Sequence, residues 1–346
     1  MGYIQKFYTR ETSSPCDLSD LLRLSLNLLT QPVKEISGYH KRLVNRPYLD
    51  EDELAEWLPY LNNTLQGIMF RHYFRPEAVG TENIPDEGAM LVSNHSGMWA
   101  WDGFAVCYSV FKKTCRTVTG MSHNIFDGSD LTKTLGLVTG TRKNAIDHLE
   151  DERLILVCPG GEEEAVKPLK DRYRIMRTGG FARYNYGYLL AALEAKRPIV
   201  PVGVKGAEET HIIFGNIKPQ LNNLVDRVYS SLPKGMKKKA EPYKERWDCA
   251  KVFPLMLNLI PFPSKIQVRI GRPIGLHRFY PNFDTAQYDE LNKKRKAGRL
   301  TRDEDARFMM MERVLYSLNE EVIGNIEDLL KQTHPCRTTG NLHLYT

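Results

Sequence analysis

From about residue 77 the chain alternates short apolar runs with helical patterns, and this constrains its fold more than any other feature. AMLVSN (89–94), RTVTGM (116–121), GLVTG (136–140), RLILVCPGG (153–161), PIVPVGV (198–204) and KIQVRIGRPI (265–274) read as strands. Between them, DGFAVCYSVFKK (102–113), NAIDHLED (144–151) and GGFARYNYGYLLAALEAKR (179–197) read as helices. Such alternation predicts an α/β fold, with a mostly parallel central sheet covered by helices. Sites in these sheets gather at the C-terminal ends of strands. His95 and Gly160 both fall just past a predicted strand.

The flanks read as helical. Residues 17–30 and 51–70 carry leucines at helical spacing, which predicts an N-terminal helical extension. A last helix is expected over 301–331, where Thr301 and Glu304 match a capping box. Phe308, Met311, Leu315, Leu318, Val322, Ile326 and Leu329 form its apolar face, and the methionines 309–311 read as core filler. The expected organisation is therefore N-terminal amphipathic helices over 1–70, an α/β domain over 71–280, and a C-terminal helix and tail over 281–346.

Charge narrows the partners. The formal net charge is +6, unevenly spread: KGMKKKAEPYKER (234–246) is basic and 147–164 is mostly acidic. A positive surface favours anionic partners, while a Lys run commonly does no more than solvate a loop, the reading preferred for 234–246. The modest charge and the lack of aromatic-basic interleaving argue against nucleic acid. No Walker loop is present, and no G-x-G-x-x-G follows a strand. The six cysteines form no C-x-x-C pair and no zinc spacing with His, so they read as reduced, mostly buried thiols of an intracellular protein, and no metal is expected. The N-terminal MGYIQKFYTR lacks the apolar core of a signal peptide. The nearest approach to a membrane span, VFPLMLNLIPFP (252–263), is short and broken by Pro254, Pro261 and Pro263. A membrane, if met, is expected to carry this chain on its surface as a peripheral (monotopic) protein.

The chemistry-bearing stretch is LVSNHSGMWAWDG (91–103). A histidine can take a proton from a hydroxyl and return it, provided a carboxylate sets its tautomer and orientation. Asp102 begins a predicted helix, and small Ser96 and Gly97 leave room beside His95. The same residues also fit a loop histidine with Asp102 serving only as a helix cap. Ser96 lies outside a G-x-S-x-G elbow, so a serine nucleophile fits poorly.

From about Phe70 to Ile274 the chain resembles the glycerolipid acyltransferase superfamily. YFRPEAVGTENIPDEGAMLVSNHSG is similar to that family's first strand, turn and Asn-His block. TLGLVTGTR, VCPGGEEEA and PIVPVGV follow in the family order. The resemblance implies O-acyl transfer from acyl-CoA, or from acyl carrier protein, to a glycerolipid hydroxyl, with no cofactor beyond that co-substrate. It implies His95 as general base and Asp102 as its orienting partner. It also implies substrate contacts at Gly97, Gly136, Arg142, Gly160, Gly161, Glu164, Arg183 and Pro201, with oxyanion donors near Gly97 or Gly160-Gly161.

Two departures stand out. The family's H-x-x-x-x-D is lengthened here by two residues, a form similar to that of one branch of the superfamily. In place of P-E-G-T-R stands Pro159-Gly160-Gly161-Glu162-Glu163-Glu164-Ala165, followed by RYRIMRTGGFAR, which is similar to the mono- and diacylglycerol acyltransferases. Two acceptors remain open, a lysophospholipid and a neutral mono- or diacylglycerol. Arg142, Arg177 and Arg183 are candidates for a phosphate. The alternative to an enzyme is an inactive lipid-binding or scaffold protein, and the His95–Asp102 distance discriminates between them. Trp57, Phe70, the N-terminal leucines, segment 252–263 and Lys237–Lys239 are candidates for membrane contact.

Overall fold

A computed structural model describes residues 69–122 and 137–332. The helix expected over 17–30, all but the last two residues of the one expected over 51–70, Trp57, Gly136 and the tail beyond 332 lie outside the described residues. The strands are β1 (Glu77–Val79), β2 (Ala89–Ser93), β3 (Val118–Ser122), β4 (Leu137–Thr139), β5 (Leu154–Val157), β6 (Ile199–Lys205), β7 (Ile213–Asn216), β8 (Pro254–Met256) and β9 (Gln267–Ile270). The α-helices are α1 (Trp101–Thr114), α2 (Arg142–Glu150), α3 (Gly161–Ala165), α4 (Gly187–Glu194), α5 (Lys218–Ser231), α6 (Lys234–Cys249), α7 (Leu276–Phe279), α8 (Thr285–Lys296) and α9 (Arg302–Lys331).

Seven strands form one sheet in the order β1-β9-β6-β2-β5-β3-β4. All neighbours run parallel except β6 and β9, which are antiparallel. The α/β expectation thus holds, with β9 and its parallel neighbour β1 running against the other five strands. A parallel strand covered on both faces is apolar throughout. AMLVS of β2 is accordingly buried at every position. Met90 and Val92 face a cluster shared with α4 and α9, and Ala89 and Leu91 face a second cluster with α1, Phe70 and Phe74. Each fully buried side chain of this size contributes about 1.5–3 kcal/mol.

Helix α9 begins as expected: the Thr301 side chain accepts from the Glu304 amide, and the Glu304 carboxylate accepts from the Thr301 amide. Phe308, Leu315, Val322 and Ile326 are fully buried against the sheet cluster. Of the three methionines, Met311 is buried, Met309 packs on the core and Met310 is exposed.

Several expectations are corrected. The helix expected over 179–197 is α4 alone. Upstream, Gly179 and Tyr184 have positive φ, the Asn185 side chain donates to the Gly179 carbonyl, and residues 179–181 form only a 3-10 turn. Left-handed residues cannot continue a right-handed helix. The basic run 234–246 is helical, within α6, rather than a loop. Helices α5 and α8 were not expected: α8 carries few regularly spaced apolar residues, whereas in α5 Leu221, Leu224, Val225 and Val228 do stand at helical spacing. Of the four described cysteines, Cys107, Cys115 and Cys158 are half-buried and Cys249 is exposed, so none is fully buried as expected.

Candidate active site

The site begins where β2 stops. The Asn94 carboxamide continues the sheet in place of backbone: its oxygen accepts from the Val204 amide at 2.8 Å and its nitrogen donates to the Val204 carbonyl at 3.0 Å. That clamp ties the start of the His95 loop to the end of β6. Gly97 follows with φ 82 and ψ 146. A Cβ there would lie 2.4 Å from the Ala207 carbonyl oxygen, so the close approach and the positive φ both demand glycine.

The two extra residues of the lengthened block are absorbed in a 3-10 turn over Met98–Ala100. Trp99 (φ 64) and Ala100 (φ 55) are both left-handed there, which turns the chain sharply before α1 starts at Trp101. The Trp101 ring anchors that start by packing on Phe70 and Phe74, at centroid distances of 6.2 and 4.9 Å. Asp102 then sits in the first turn of α1, where the helix dipole favours an anion.

Asp102 Oδ2 lies 2.7 Å from His95 Nδ1 and accepts from the Ser96 amide, also at 2.7 Å. The aspartate side chain is 1% exposed and the histidine ring 20% exposed. With Nδ1–H donating to the Asp102 carboxylate, Nε2 is left with its lone pair, the tautomer a general base needs. Burial pushes the His95 pKa down; the charge of Asp102, its hydrogen bond and the charge of Glu164 outweigh that, and the net shift is upward. Asp102 Oδ1 is buried with no hydrogen-bond partner among the described residues.

Beneath the loop lies a buried ionic cluster. Glu164 of α3 accepts from the His95 amide and from the Met176 amide, each at 3.2 Å. Burial pushes its carboxyl up to about 7, against the opposing pull of Lys167, both amides and His95. Lys167 is buried too. Its ammonium lies 3.8 Å from Glu164 and 3.2 Å from Glu208, and donates to the carbonyls of His95 (3.3 Å) and Arg174 (3.1 Å). Burial also raises the Glu208 carboxyl, again opposed by Lys167. Sequence reading missed Lys167 and Glu208: neither lies in a recognisable pattern, and a lone Lys or Glu usually marks a solvated face.

Pro159-Gly160-Gly161 packs against the same cluster. A Cβ on Gly160 would fall 1.7 Å from Glu164 Oε2. The downstream RTGGF closes over it: Thr178 Oγ1 donates to the Gly160 carbonyl at 2.8 Å, and the Gly180 amide donates to the Pro159 carbonyl at 2.6 Å. Of the candidate oxyanion donors, the Gly161 amide is already committed to the Cys158 carbonyl at 3.1 Å. Cys158 itself, which no spacing had linked to His95, brings its sulfur within 4.8 Å of ligand atoms of His95 and Asp102. The set suits a metal poorly. The His95–Asp102 bond occupies Nδ1 and Oδ2, and burial first, then Asp102, holds the thiol well above its usual pKa and therefore protonated.

His95, Asp102, Gly97, Gly160, Gly161 and Glu164 are thus brought together. The other described candidates are held elsewhere. Arg142 pairs with Glu194 and Asp289. Arg183 stacks over Tyr184 at 4.9 Å and Tyr316 at 5.9 Å. Pro201 is buried inside β6 opposite Val92, and its carbonyl accepts from the Gly271 amide at 2.8 Å. Among the described residues, no helix is long and apolar enough to cross a membrane.

Residues 75–205 match the family model described as Acyltransferase. The chain is 29% identical over 261 residues to uncharacterized proteins of Mycobacterium tuberculosis and Mycobacterium bovis, an alignment covering 72% of this chain and 66% of theirs. A Mycobacterium leprae protein, also uncharacterized, is 28% identical over 262 residues, 72% of this chain and 65% of its own. The chain therefore spans just under two thirds of these relatives' length. The crystal structure of the 1-acyl-sn-glycerophosphate (LPA) acyltransferase PlsC from Thermotoga maritima overlaps 87% of both chains, at 16% identity and a TM-score of 0.33, too loosely to fix the reaction. The matched segment, residues 75–205, is the one that carries His95, Asp102 and the Gly160-Gly161 turn, and it is similar to that acyltransferase family.

Proposed function

We propose that this protein transfers a fatty acyl group from acyl-CoA, or acyl carrier protein, to a glycerolipid hydroxyl, with His95 as general base and Asp102 as its orienting partner. The observation that carries this reading is the 2.7 Å contact between His95 Nδ1 and an aspartate 1% exposed. A hydroxyl is a weak nucleophile at neutral pH and needs an adjacent base. His95 Nε2 takes the acceptor proton as the oxygen attacks the thioester carbonyl. The tetrahedral intermediate collapses to the ester, the C–S bond breaks, and the departing thiolate recovers the proton as a thiol. Asp102 holds the imidazolium that forms meanwhile.

Two observations bear on the acceptor. Of the arginines that could meet a phosphate, Arg142 and Arg177 are paired with carboxylates, Arg177 with Glu320. The turn at Gly160-Gly161 keeps the pattern similar to mono- and diacylglycerol acyltransferases. Both favour a neutral mono- or diacylglycerol over a lysophospholipid. Since such acceptors reside in membranes, the protein works as a peripheral protein at a lipid surface.

The test is acyl transfer from labelled acyl-CoA to a panel of detergent-dispersed acceptors, comparing wild type with His95→Ala. Turnover on at least one glycerolipid, falling by about 10²–10⁴-fold in the variant, is expected. Near-normal turnover in His95→Ala would overturn His95 as the general base, and no turnover in wild type with any acceptor and donor would favour the inactive scaffold instead.

A further inference from the structure

We propose that the excursion between β6 and β9, residues 211–263, is the surface by which this protein docks on an anionic lipid bilayer. It deepens the peripheral placement proposed above by naming the part that makes the contact.

The excursion contributes little to the core, with Ile213 its one buried hydrophobic residue. Neither buried cluster draws a residue from 208–263, and α5 and α6 have no buried residue at all. Yet of the sixteen large apolar side chains exposed among the described residues, eleven lie between Phe214 and Phe262. Strand β8 and its continuation show the pattern most sharply. Phe253, Leu255, Leu257 and Leu259 alternate outward, with Val252, Pro254, Met256 and Asn258 less exposed between them. A half-solvated antiparallel strand normally presents polar residues to water. Here the outward face is apolar and ends in Leu259 and Ile260, 72% and 79% exposed. An apolar patch on that scale marks an interaction surface.

Charge says what covers it. Residues 218–251 hold nine Lys and Arg against four Asp and Glu, so this one segment supplies +5 of the chain's formal +6. Packing binds the basic helices to the apolar hairpin: the Ile217 amide donates to the Phe253 carbonyl at 2.9 Å, Trp247 packs on Phe253 at 5.4 Å, and Lys218 lies over the Trp247 ring at 5.6 Å. Exposed leucines and aromatics beside a lysine-rich helix match an interface of acyl chains and anionic head groups.

Position agrees. The excursion leaves from the C-terminal end of β6, alongside the parallel β2 whose C-terminal end bears His95. Its root is held beside the site: the Lys251 amide donates to Glu162 of α3 at 2.7 Å, and the Asn258 side chain donates to the carbonyl of Thr210, two residues beyond Glu208, at 2.8 Å. A bilayer gripped by this segment lies at the rim where an acceptor lipid must reach the histidine.

The test is flotation of the full chain with vesicles of equimolar phosphatidylcholine and phosphatidylglycerol, and with phosphatidylcholine alone. Wild type is expected to float with the anionic vesicles and to lose binding as salt rises. Leu257→Glu/Leu259→Glu/Ile260→Glu is expected to weaken binding at least about ten-fold on both vesicles. Lys237→Glu/Lys238→Glu/Lys239→Glu is expected to weaken it at least about ten-fold on the anionic vesicles alone. Ile260→Glu by itself, at the most exposed of these side chains, shifts partition in the same direction with an unchanged far-UV spectrum. The proposal is overturned if wild type floats with neither vesicle, if the variants float like wild type, or if the apolar exchanges only dissolve a dimer. Flotation is read without turnover, so its failure is distinct from failure of the acyl-transfer reading, which is measured in detergent.

Discussion

The Lys167 ammonium sits 3.2 Å from the Glu208 carboxylate and, from the same buried position, donates to the His95 carbonyl at 3.3 Å. One side chain therefore neutralises a carboxylate at the root of the 211–263 excursion and holds the backbone of the catalytic loop. Removing one partner of a buried ion pair leaves the other charge uncompensated. Lys167→Met is expected to lower unfolding stability by about 3–5 kcal/mol, read by urea denaturation. Lys167→Met combined with Glu208→Gln is expected to recover part of that loss. Equal stability of wild type and Lys167→Met would show the cluster to be solvated.

Glu164 gives a pH dependence of defined sign. Burial raises its carboxyl from 4.5 to about 7 on folding, so the folded chain binds more protons than the unfolded one between those values. Its contribution to stability is then full below about pH 4.5 and is lost as pH rises through about 7. Urea melts at pH 5 and pH 8 are expected to show wild type losing more stability than Glu164→Gln over that interval, on the order of 2–3 kcal/mol. A difference of the opposite sign would mean that Lys167, rather than burial, dominates this site.

For His95 the relevant readout is rate. A general base works in its neutral form, so turnover is expected to rise with pH through a pKa above the ordinary 6.5 of histidine. Asp102→Asn removes the charge that raises it and, through the Ser96 amide contact, disturbs the tautomer. A downward-shifted profile and a fall of about 10²–10⁴-fold in kcat are expected. An unshifted profile would assign the titration to another group.

Gly97 is the most constrained backbone position in the loop. Gly97→Ala places a methyl 2.4 Å from the Ala207 carbonyl at φ 82. It is expected to cost more than about 1 kcal/mol and to lower turnover with it, since the displaced backbone carries Ser96 and its bond to Asp102. Thermal melting and the acyl-transfer assay check both effects.

Trp99 tests the lengthened block. It is exposed and left-handed at φ 64. Trp99→Gly is expected to gain roughly 0.5–1 kcal/mol by relieving that conformation, measured by thermal melting. A loss of stability would show that the indole packs rather than merely tolerating the turn.

Much of the sheet was legible in the sequence, because strands buried on both faces must be apolar at every position. AMLVS, LILV and IVPVGV could hardly have been anything else, and the capping box of α9 is a local signal. Helices α5 and α6 bury nothing against the core, yet Leu221, Leu224, Val225 and Val228, and Met236, Ala240, Tyr243 and Trp247, stand at helical spacing; the lysine run and Pro242 mask the pattern in α6. The abbreviated α4 escaped because the left-handed φ of Tyr184 is a tertiary accommodation for a residue that carries no such preference.

The sequence by itself determined the layered α/β core, the family order of the Asn-His, Gly-Gly and Pro blocks, and the pairing of His95 with Asp102 as a candidate. These follow from burial periodicity and residue chemistry, which are local. Only tertiary structure decided that two left-handed residues fold the longer connection back to a 2.7 Å contact. It also decided that Glu164, Lys167 and Glu208 meet beneath that contact, and that Arg142 and Arg183 do not join them. Those outcomes depend on distances between segments far apart in the chain, which packing of the whole sheet sets and no local pattern encodes.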